Sequence, residues 1–301
     1  MGTMSDRVMW FNGACVPWED ARVHVWDELA LRGANVFEGI TAFWNAGEQR
    51  HEVLAGEAHL DRLYHSARVA DIPAPMTRAE LFDALAEVAA QLGGSDIYLR
   101  PTFYAKQGRS TLAPNSEGGV YIGGFPFRPG APPAVRAIVS SHQRFGGPIG
   151  AHAKSGGSYL DFRIFERERL QHEVEHVLFL NDRGHVAEAD GAAILLVRDR
   201  HVITPSPDSG VLDSITKRIV LDIARELGHQ VEERPVRRDE LYQARPVLAG
   251  TLLGLRPVDT VDGHAVGDVG GADTVATLTG EYDRLCRGEN PLARTCLAPL
   301  R

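Results

Sequence analysis

The chain has 301 residues, of which 44% are hydrophobic and 24% are charged, a composition typical of a globular protein with a substantial core. Its net charge of −8 and its pI near 5.8 argue against a general nucleic-acid or membrane-surface binder. No apolar run approaches the roughly 20 residues that span a bilayer, and the first residues lack a signal-peptide core. Three scattered cysteines and the absence of metal-ligand spacing predict a reduced, cytoplasmic protein without a metal site.

The first part of the chain predicts a hairpin, two helices and several strands. Asn12-Gly13 lies between short alternating runs and predicts a two-residue turn. Apolar residues at helical spacing predict a helix over 57–72, and the capping box Thr77–Glu80 predicts the start of a second helix that ends at Gly93. Strands are predicted at 97–104, 120–125 and 135–141.

A proline-rich segment, 126–133, divides the sequence. Its four prolines make a stiff, extended connector. We therefore predict a small N-terminal domain (1–126), a linker (127–133) and a large domain (134–301).

The large domain alternates helices and strands without a regular βαβ rhythm, which indicates an α+β or mixed α/β fold. An amphipathic helix is predicted in 159–173, and short strands are predicted in 176–197 around a turn. The clearest helix covers 214–228 and ends at Gly228. A buried strand at 246–251 and a helix within 270–288 complete the predicted elements.

Lys154 precedes a Gly-Gly pair and Tyr159 in the stretch AKSGGSYL. It could be a solvated surface lysine or a buried amine kept for covalent chemistry. A lysine that forms a Schiff base must be able to lose its proton. If its carbonyl partner is pyridoxal phosphate, the site also needs a carboxylate for the pyridinium nitrogen, free backbone N–H groups for the phosphate and a nearby hydroxyl.

The sequence offers each of these groups, and each also has a purely structural interpretation. The helix that opens at 213–216 could hold a phosphate on its free N–H groups or could simply be capped by its first residues. Arg62 could bind the phosphate or lie along the protein surface. Glu188 could serve a cofactor or a salt bridge. Tyr159 could supply the hydroxyl or belong to the core.

Taken together, these stretches resemble the fold type IV pyridoxal-phosphate enzymes, and most of all the branched-chain amino acid aminotransferases. The resemblance is carried by VFEGITAF (36–43), YLRPTFY (98–104), AKSGGSYL (153–160), AEADGAAIL (187–195), LDSITKRIVLDIARELG (212–228) and LAGTLLGLRPV (248–258). It covers nearly the whole chain in order. It implies a small α/β domain, a larger β-barrel-like domain with helices, and a homodimer in which loop 105–117 reaches the neighbouring subunit.

The resemblance also implies a role for individual residues. Lys154 corresponds to the lysine that forms the Schiff base with pyridoxal 5'-phosphate and moves the substrate proton. Glu188 corresponds to the carboxylate that keeps the pyridine nitrogen protonated, and Tyr159 to the hydroxyl near the phenolic oxygen. Positions in the phosphate site correspond to Arg62, Ser214, Ile215, Thr216 and Thr251. The wall of the substrate pocket corresponds to Phe37, Tyr98 and Arg100.

Departures from the family pattern cluster in the substrate pocket. Arg32 stands where relatives have an aromatic residue, Arg128 lies in the linker, and Leu252 adds bulk just after Thr251. These changes lead to the hypothesis that Arg32, Arg128 or both bind an acidic or polar substrate side chain. In the phosphate site, the carboxylate of Asp213 would repel a phosphate unless it points away or is paired.

The resemblance therefore implies a transaminase that moves an amino group between an L-amino acid and a 2-oxo acid by a ping-pong mechanism, on a specialised substrate. No nucleic-acid or membrane partner is expected. A D-amino acid transaminase or an aminodeoxychorismate lyase would share Lys154 and Glu188 and stays an alternative. A non-catalytic relative that binds the cofactor only for structure is a further alternative, although the presence of Lys154, Glu188 and Tyr159 argues against it.

Overall fold

The computed structural model describes residues 7–107, 117–128, 134–144, 153–266 and 270–300. The strands are β1 (Val8–Phe11), β2 (Ala14–Val16), β3 (Asn35–Phe37), β4 (Ile40–Asn45), β5 (Arg50–Leu54), β6 (Ile97–Ala105), β7 (Gly118–Pro126), β8 (Val135–Gln143), β9 (His176–Leu180), β10 (His185–Ala189), β11 (Ala193–Arg198), β12 (His201–Pro205), β13 (Gln230–Arg234), β14 (Val236–Arg237), β15 (Arg245–Gly250), β16 (Gly254–Val261), β17 (His264–Ala265) and β18 (Leu297–Pro299). The helices are α1 (Glu28–Arg32), α2 (Gly56–Val69), α3 (Arg78–Leu92), α4 (Phe162–Gln171), α5 (Ile215–Glu226), α6 (Ala272–Cys286) and α7 (Ala293–Cys296).

The first sheet has the strand order β18-β5-β4-β6-β7-β1-β2, with β3 paired to β6. Helices α2 and α3 cover one face, and Leu60, Leu63, Leu81 and Leu85 are almost fully buried in the resulting core. Both helices have the predicted apolar spacing, and the capping box of Thr77 and Glu80 is present. The predicted hairpin is also confirmed, because β1 pairs with β2 across Asn12-Gly13.

The second sheet has the order β13-β12-β11-β15-β16-β8-β9-β10-β14, with β17 paired to β16. An isolated bridge between Ala189 and Ala192 links β10 back to β11, so the sheet nearly closes into a barrel. Helices α5 and α6 pack against each other, and α5 also contacts β11, β13 and β15. The predicted mixed α/β fold with a barrel-like part is confirmed.

The chain returns to its first sheet at the end, because β18 pairs with β5 in antiparallel register. The sequence did not indicate this pairing. The proposed division into domains stays a prediction, since residues 129–133 of the linker lie outside the described residues, as does 108–116 of the loop expected to reach a neighbouring subunit. Among the described residues, the helices are too short or too polar to cross a bilayer.

Candidate active site

Lys154 lies where the two sheets meet. Its backbone N–H donates to Oγ of Ser66 on α2 (3.0 Å), and its carbonyl accepts from the N–H of Phe37 at the end of β3 (3.0 Å). Its Nζ donates to the phenolic oxygen of Tyr159 over 2.7 Å. The backbone of Lys154 is therefore fixed by the first sheet and helix α2, while its amine points to the Tyr159 hydroxyl.

Close packing explains the glycine at position 156, which the sequence did not show. A Cβ atom at this position would lie 2.3 Å from Nδ2 of Asn35, whose carbonyl also accepts from the Gly156 N–H. The second glycine, Gly157, has open space around it. Gly156 therefore allows the backbone here to pack closely against Asn35.

Aromatic rings surround the Lys154 amine. Tyr159 stacks on Phe162 with ring centres 4.6 Å apart, and Phe37 meets Tyr159 edge-on at 4.9 Å. The guanidinium carbon of Arg100 lies 3.7 Å from the centre of the Phe37 ring, within cation–π range. Of the predicted pocket residues, Phe37 is therefore next to the Lys154 amine, which is 5.1 Å from its ring centre, and Arg100 packs on the same ring.

Arg62 is held by a buried carboxylate. Its Nε and Nη2 donate to the two oxygens of Glu38 at 2.6 and 2.8 Å, and Nδ1 of His59 donates to Glu38 over 2.7 Å. Burial raises the pKa of Glu38, but the Arg62 charge and the hydrogen bonds from Arg62 and His59 outweigh it and bring that pKa to about 2. Burial lowers the pKa of His59 despite the attraction of Glu38, which favours a neutral imidazole.

Arg62 also meets the start of α5, because its Nη1 donates to the carbonyl of Asp213 over 2.6 Å. Ser214 caps this helix by accepting from the Lys217 N–H at 3.2 Å. The N–H groups of Ile215 and Thr216 are in the first turn, where a helix has no internal acceptor for them. The carboxylate of Asp213 is exposed and lies 3.6 Å from Arg218, so it is paired, as a phosphate site at this helix end would require.

Glu188 is buried and paired. It accepts from Nε of Arg144 at 2.7 Å on one oxygen and from the backbone N–H of Leu212 at 3.2 Å on the other. Arg144 also donates to the carbonyl of Ser158, which is in the loop that carries Tyr159. A carboxylate oxygen accepts more than one hydrogen bond, so Glu188 still has an acceptor for a further N–H.

One cavity brings these groups together. It is lined by Lys154, Tyr159, Glu188, Arg62 and Ser214. Thr251 lines a different cavity, although Gly250 just before it adjoins Gly191 and Ala192 in the wall of the Lys154 cavity. An amine, a hydroxyl, a carboxylate and an arginine beside a helix N-terminus fit the aldehyde, ring and phosphate of pyridoxal phosphate. Among the described residues there is no cluster that could hold a metal ion.

The predicted substrate residues lie in different places. The ring of Tyr98 is buried against Gly39, and burial raises its pKa despite the neighbouring Arg100. Arg128 and Leu252 line one groove together with Arg100. Arg32 ends α1, where its Nη1 is 3.4 Å from Glu28. The adjoining Gly33 faces Gly157, so this end of α1 is close to the Lys154 loop.

Sequence analysis missed three residues of the site, namely Glu38, His59 and Arg144. Glu38 lies inside the VFEG stretch, where a carboxylate in an apolar strand context would have indicated the need for a partner. His59 lies three residues before Arg62, on the same helical face. Arg144 has no comparable signal, since its partner Glu188 is 44 residues away in the chain.

Comparisons with known proteins point to one family. The sequence profile of the amino-transferase class IV family matches residues 35–261. The chain is 30% identical over 297 residues to a probable branched-chain-amino-acid aminotransferase of Aquifex aeolicus, with 96% of each protein covered. It is 31% identical over 279 residues to the branched-chain-amino-acid aminotransferase of Escherichia coli (strain K12), with 89% of each covered.

Solved structures show the same similarity in three dimensions. The branched-chain aminotransferase of Thermoproteus uzoniensis, crystallised with norvaline, superposes with a TM-score of 0.90 at 29% identity and covers 98% of this chain and 99% of its own. The branched-chain amino acid aminotransferase of Thermobaculum terrenum, in its PLP-bound holo form, gives a TM-score of 0.90 at 29% identity, with 98% of each chain covered.

Proposed function

The chain belongs to the amino-transferase class IV family, and we propose that it moves an amino group between an L-amino acid and a 2-oxo acid with pyridoxal 5'-phosphate as cofactor. The observation that carries this proposal is the position of Lys154, whose amine lies 2.7 Å from the Tyr159 hydroxyl in the cavity that also contains Glu188 and Arg62. Solved relatives bind pyridoxal phosphate or its adducts in their crystal structures.

The residues of this chain divide the work between binding and proton transfer. When bound, pyridoxal phosphate accepts and returns the amino group and delocalises the electrons released at the substrate Cα. Arg62 and the first turn of α5 would hold its phosphate, and Thr251 would add a hydroxyl. Glu188 would keep the proton on the pyridine nitrogen, and Arg144 fixes that carboxylate. Lys154 would anchor the cofactor and then carry the proton to and from the substrate Cα, while Tyr159 orients the amine.

The finer parts of the proposal are a ping-pong order, a homodimer and a reduced, cytoplasmic setting. One cavity contains the Lys154 amine, so the donor and the acceptor would enter it in turn, which supports the ping-pong order. The free cysteines Cys15, Cys286 and Cys296 fit a reduced compartment.

An altered substrate pocket is also part of the proposal. Arg128 and Leu252 lie in one groove with Arg100, and this supports a substrate with a polar or acidic side chain. The support from Arg32 is weaker, because Glu28 lies within ion-pair distance of its guanidinium. Steady-state kinetics of Arg32→Ala on acidic and aliphatic substrates measure its contribution to selectivity. An equal loss of activity on both classes would show that Arg32 does not contribute.

The test uses the small number of lysines in this chain, which are Lys106, Lys154 and Lys217. The purified protein is reduced with borohydride after reconstitution with pyridoxal phosphate, and the adduct is mapped by mass spectrometry. We expect it on Lys154, whereas Lys217 is buried in an ion pair with Glu233 (3.0 Å). The Lys154→Ala variant should form no adduct. The Lys106→Ala variant is the matched control and should still form it.

Amino acids are then added singly to the unreduced protein while the cofactor absorbance is recorded. Bleaching by L-amino acids, followed by recovery with a 2-oxo acid, supports the proposed reaction. Bleaching by D-amino acids only would favour a D-amino acid transaminase. A spectrum that no amino acid changes would favour a lyase or a non-catalytic relative.

A further inference from the structure

A bulge in β8 sets the position of Arg144, which follows that strand directly. Between Val139 and Gln143, β8 advances four residues while its parallel neighbour β9 advances only two. The backbone N–H of Arg144 then donates to the carbonyl of Leu180 on β9 over 2.8 Å. Regular pairing would place Arg144 two residues further along β9, a displacement of about 6–7 Å. The bulge therefore brings the Arg144 guanidinium within reach of Glu188, at 2.7 Å.

Glu168 of α4 binds the residues of this bulge. One carboxylate oxygen accepts from the hydroxyl of Ser140 at 2.5 Å. The other accepts from the backbone N–H of Ser141 at 3.0 Å and also from the Ser141 hydroxyl. The Ser140 oxygen in turn accepts from the backbone N–H of His142 at 2.9 Å. Glu168 and Ser140 thus supply acceptors for two N–H groups at the place where the bulge disrupts the ladder.

The carboxylate of Glu168 is buried and ionised. Burial raises its pKa, but the hydrogen bonds from Ser140 and Ser141 and the charge of nearby His142 outweigh this effect and lower the pKa below its ordinary value. A buried charge is costly unless donors surround it. Because the donors to Glu168 come from two consecutive residues of the bulge, other conformations of that segment would leave the carboxylate without partners.

Helix α4 connects the bulge with the wall of the active site. Its first residue, Phe162, stacks on Tyr159, and Phe165 packs against Phe179 with ring centres 4.0 Å apart. Phe162 and Phe179 line the cavity that contains the reactive amine. Phe165 and Glu168 are buried on the same face of the helix, three residues apart. The helix that fixes the bulge is therefore itself held against the site.

We propose that Glu168 is a positioning residue for Arg144. By fixing the bulge of β8, it directs the guanidinium to Glu188 at 2.7 Å and to the carbonyl of Ser158, in the Tyr159 loop, at 3.2 Å. Arg144 in turn fixes the carboxylate that would face the pyridine nitrogen of the cofactor. The inference rests on the proposed function, because it takes Glu188 as the group that holds the proton of that nitrogen.

A double-mutant cycle tests whether Glu168 acts through Arg144. The variants are Glu168→Gln, Arg144→Gln and the double variant, and the apoproteins are titrated with pyridoxal phosphate while its absorbance is followed. The dissociation constant should rise by about 10-fold in Arg144→Gln, which loses a hydrogen bond between charged groups. It should rise by about 3-fold or more in Glu168→Gln. The double variant should bind as tightly as Arg144→Gln alone, because Glu168 then has no guanidinium to position.

The matched control is Asp262→Asn. The carboxylate of Asp262 accepts from the backbone N–H of Val139 at 2.7 Å, so it also holds β8, but just before the bulge. Urea unfolding of the apoproteins should show lower stability in both Glu168→Gln and Asp262→Asn, whereas cofactor affinity should change in Glu168→Gln alone. Ser140→Ala removes one donor to Glu168 and should weaken the affinity in the same way. It replaces Glu168→Gln in the cycle if that variant does not fold.

Two results would overturn the inference. An equal loss of affinity from Glu168→Gln with and without Arg144 would mean that Glu168 has a general structural role. Unchanged affinity in both Glu168→Gln and Ser140→Ala would mean that the bulge directs Arg144 without this carboxylate.

Failure of the proposed function would be seen separately, as the absence of a mapped adduct on Lys154. The urea data on the apoproteins then still test the inference, because they need no cofactor. The loss of stability from Glu168→Gln should be smaller in the Arg144→Gln background, since part of it comes from the ion pair of Arg144 with Glu188. An equal loss in both backgrounds would again rule out positioning of Arg144 by Glu168.

Discussion

Glu38 contacts the guanidinium of Arg62 with both carboxylate oxygens, at 2.6 Å from Nε and 2.8 Å from Nη2, and has no exposed surface. The same carboxylate accepts a hydrogen bond from His59, one turn earlier on α2. Because Nη1 of Arg62 also donates to Asp213, the guanidinium has a single orientation. Glu38 therefore positions Arg62 toward the first turn of α5, where the phosphate of the cofactor is expected.

The Glu38→Gln variant should weaken the binding of pyridoxal phosphate. An amide keeps the volume but loses the charge and one acceptor oxygen, so Arg62 loses the group that orients it. We expect the dissociation constant to rise by about 10-fold or more. Titration of the apoprotein followed by absorbance measures it. Glu57→Gln on the same helix, where the side chain is exposed, is the control. Unchanged affinity in Glu38→Gln would show that Arg62 is oriented without Glu38.

Glu38 should also make stability depend on pH in the acid range. Its pKa is about 2 in the folded protein, against an ordinary value of 4.5. A carboxyl group with a lowered folded pKa contributes stability that is present above about 4.5 and is lost as the pH falls from there toward 2. Urea unfolding of the apoprotein between pH 6 and about 2.5 should therefore show a steeper loss for the unmodified chain than for Glu38→Gln. Parallel curves would contradict the lowered pKa.

Removing the hydroxyl of Tyr159 should reduce turnover and leave the fold intact. In Tyr159→Phe the ring still stacks on Phe162, but the Lys154 amine loses its acceptor. We expect kcat to fall by about 10-fold or more with little change in melting temperature. Tyr242→Phe is the opposite control. It removes a hydroxyl that donates to Asp262 over 2.6 Å, so it should lower stability and leave kcat unchanged. A normal kcat in Tyr159→Phe would remove this residue from the proton-transfer step.

The three thiols should react in the order of their exposure. Cys15 is exposed, Cys296 is partly buried, and Cys286 is buried with a pKa raised by burial to about 12. The thiolate is the reactive form, so Cys286 should resist a disulfide reagent until the protein unfolds. Cys15→Ser should remove the fastest phase of the reaction. Rapid modification of Cys286 in the folded protein would contradict its buried position.

Local signals in the sequence predicted much of the fold. The turn at Asn12-Gly13, the capping box of Thr77 and Glu80 and the apolar face of α5 depend only on residues a few positions apart. Such patterns determine local backbone geometry directly. The pairing of β18 with β5 and the bridge that nearly closes the barrel join distant parts of the chain, and no local pattern predicts them.

The site shows the same limit. Lys154, Tyr159, Glu188 and Arg62 were predicted from the resemblance, and the structure brings them to one cavity, although their roles stay predictions. Arg144 was missed because its significance depends on Glu188, which only the folded chain brings near. The role of a buried charge can therefore be assigned only from the structure, because its partners come from distant parts of the chain.

Two glycine substitutions should change stability in opposite directions. Gly280 lies on the exposed face of α6 with open space around it, so Gly280→Ala should stabilise the protein by about 0.5–1 kcal/mol through lower backbone entropy in the unfolded chain. Gly119 lies in β7, where a Cβ atom would be 2.3 Å from the ring of Tyr104, whose side chain is buried. Gly119→Ala should therefore destabilise it by about 1–3 kcal/mol. Urea unfolding of both variants measures the difference, and a neutral Gly119→Ala would mean that Tyr104 is free to move aside.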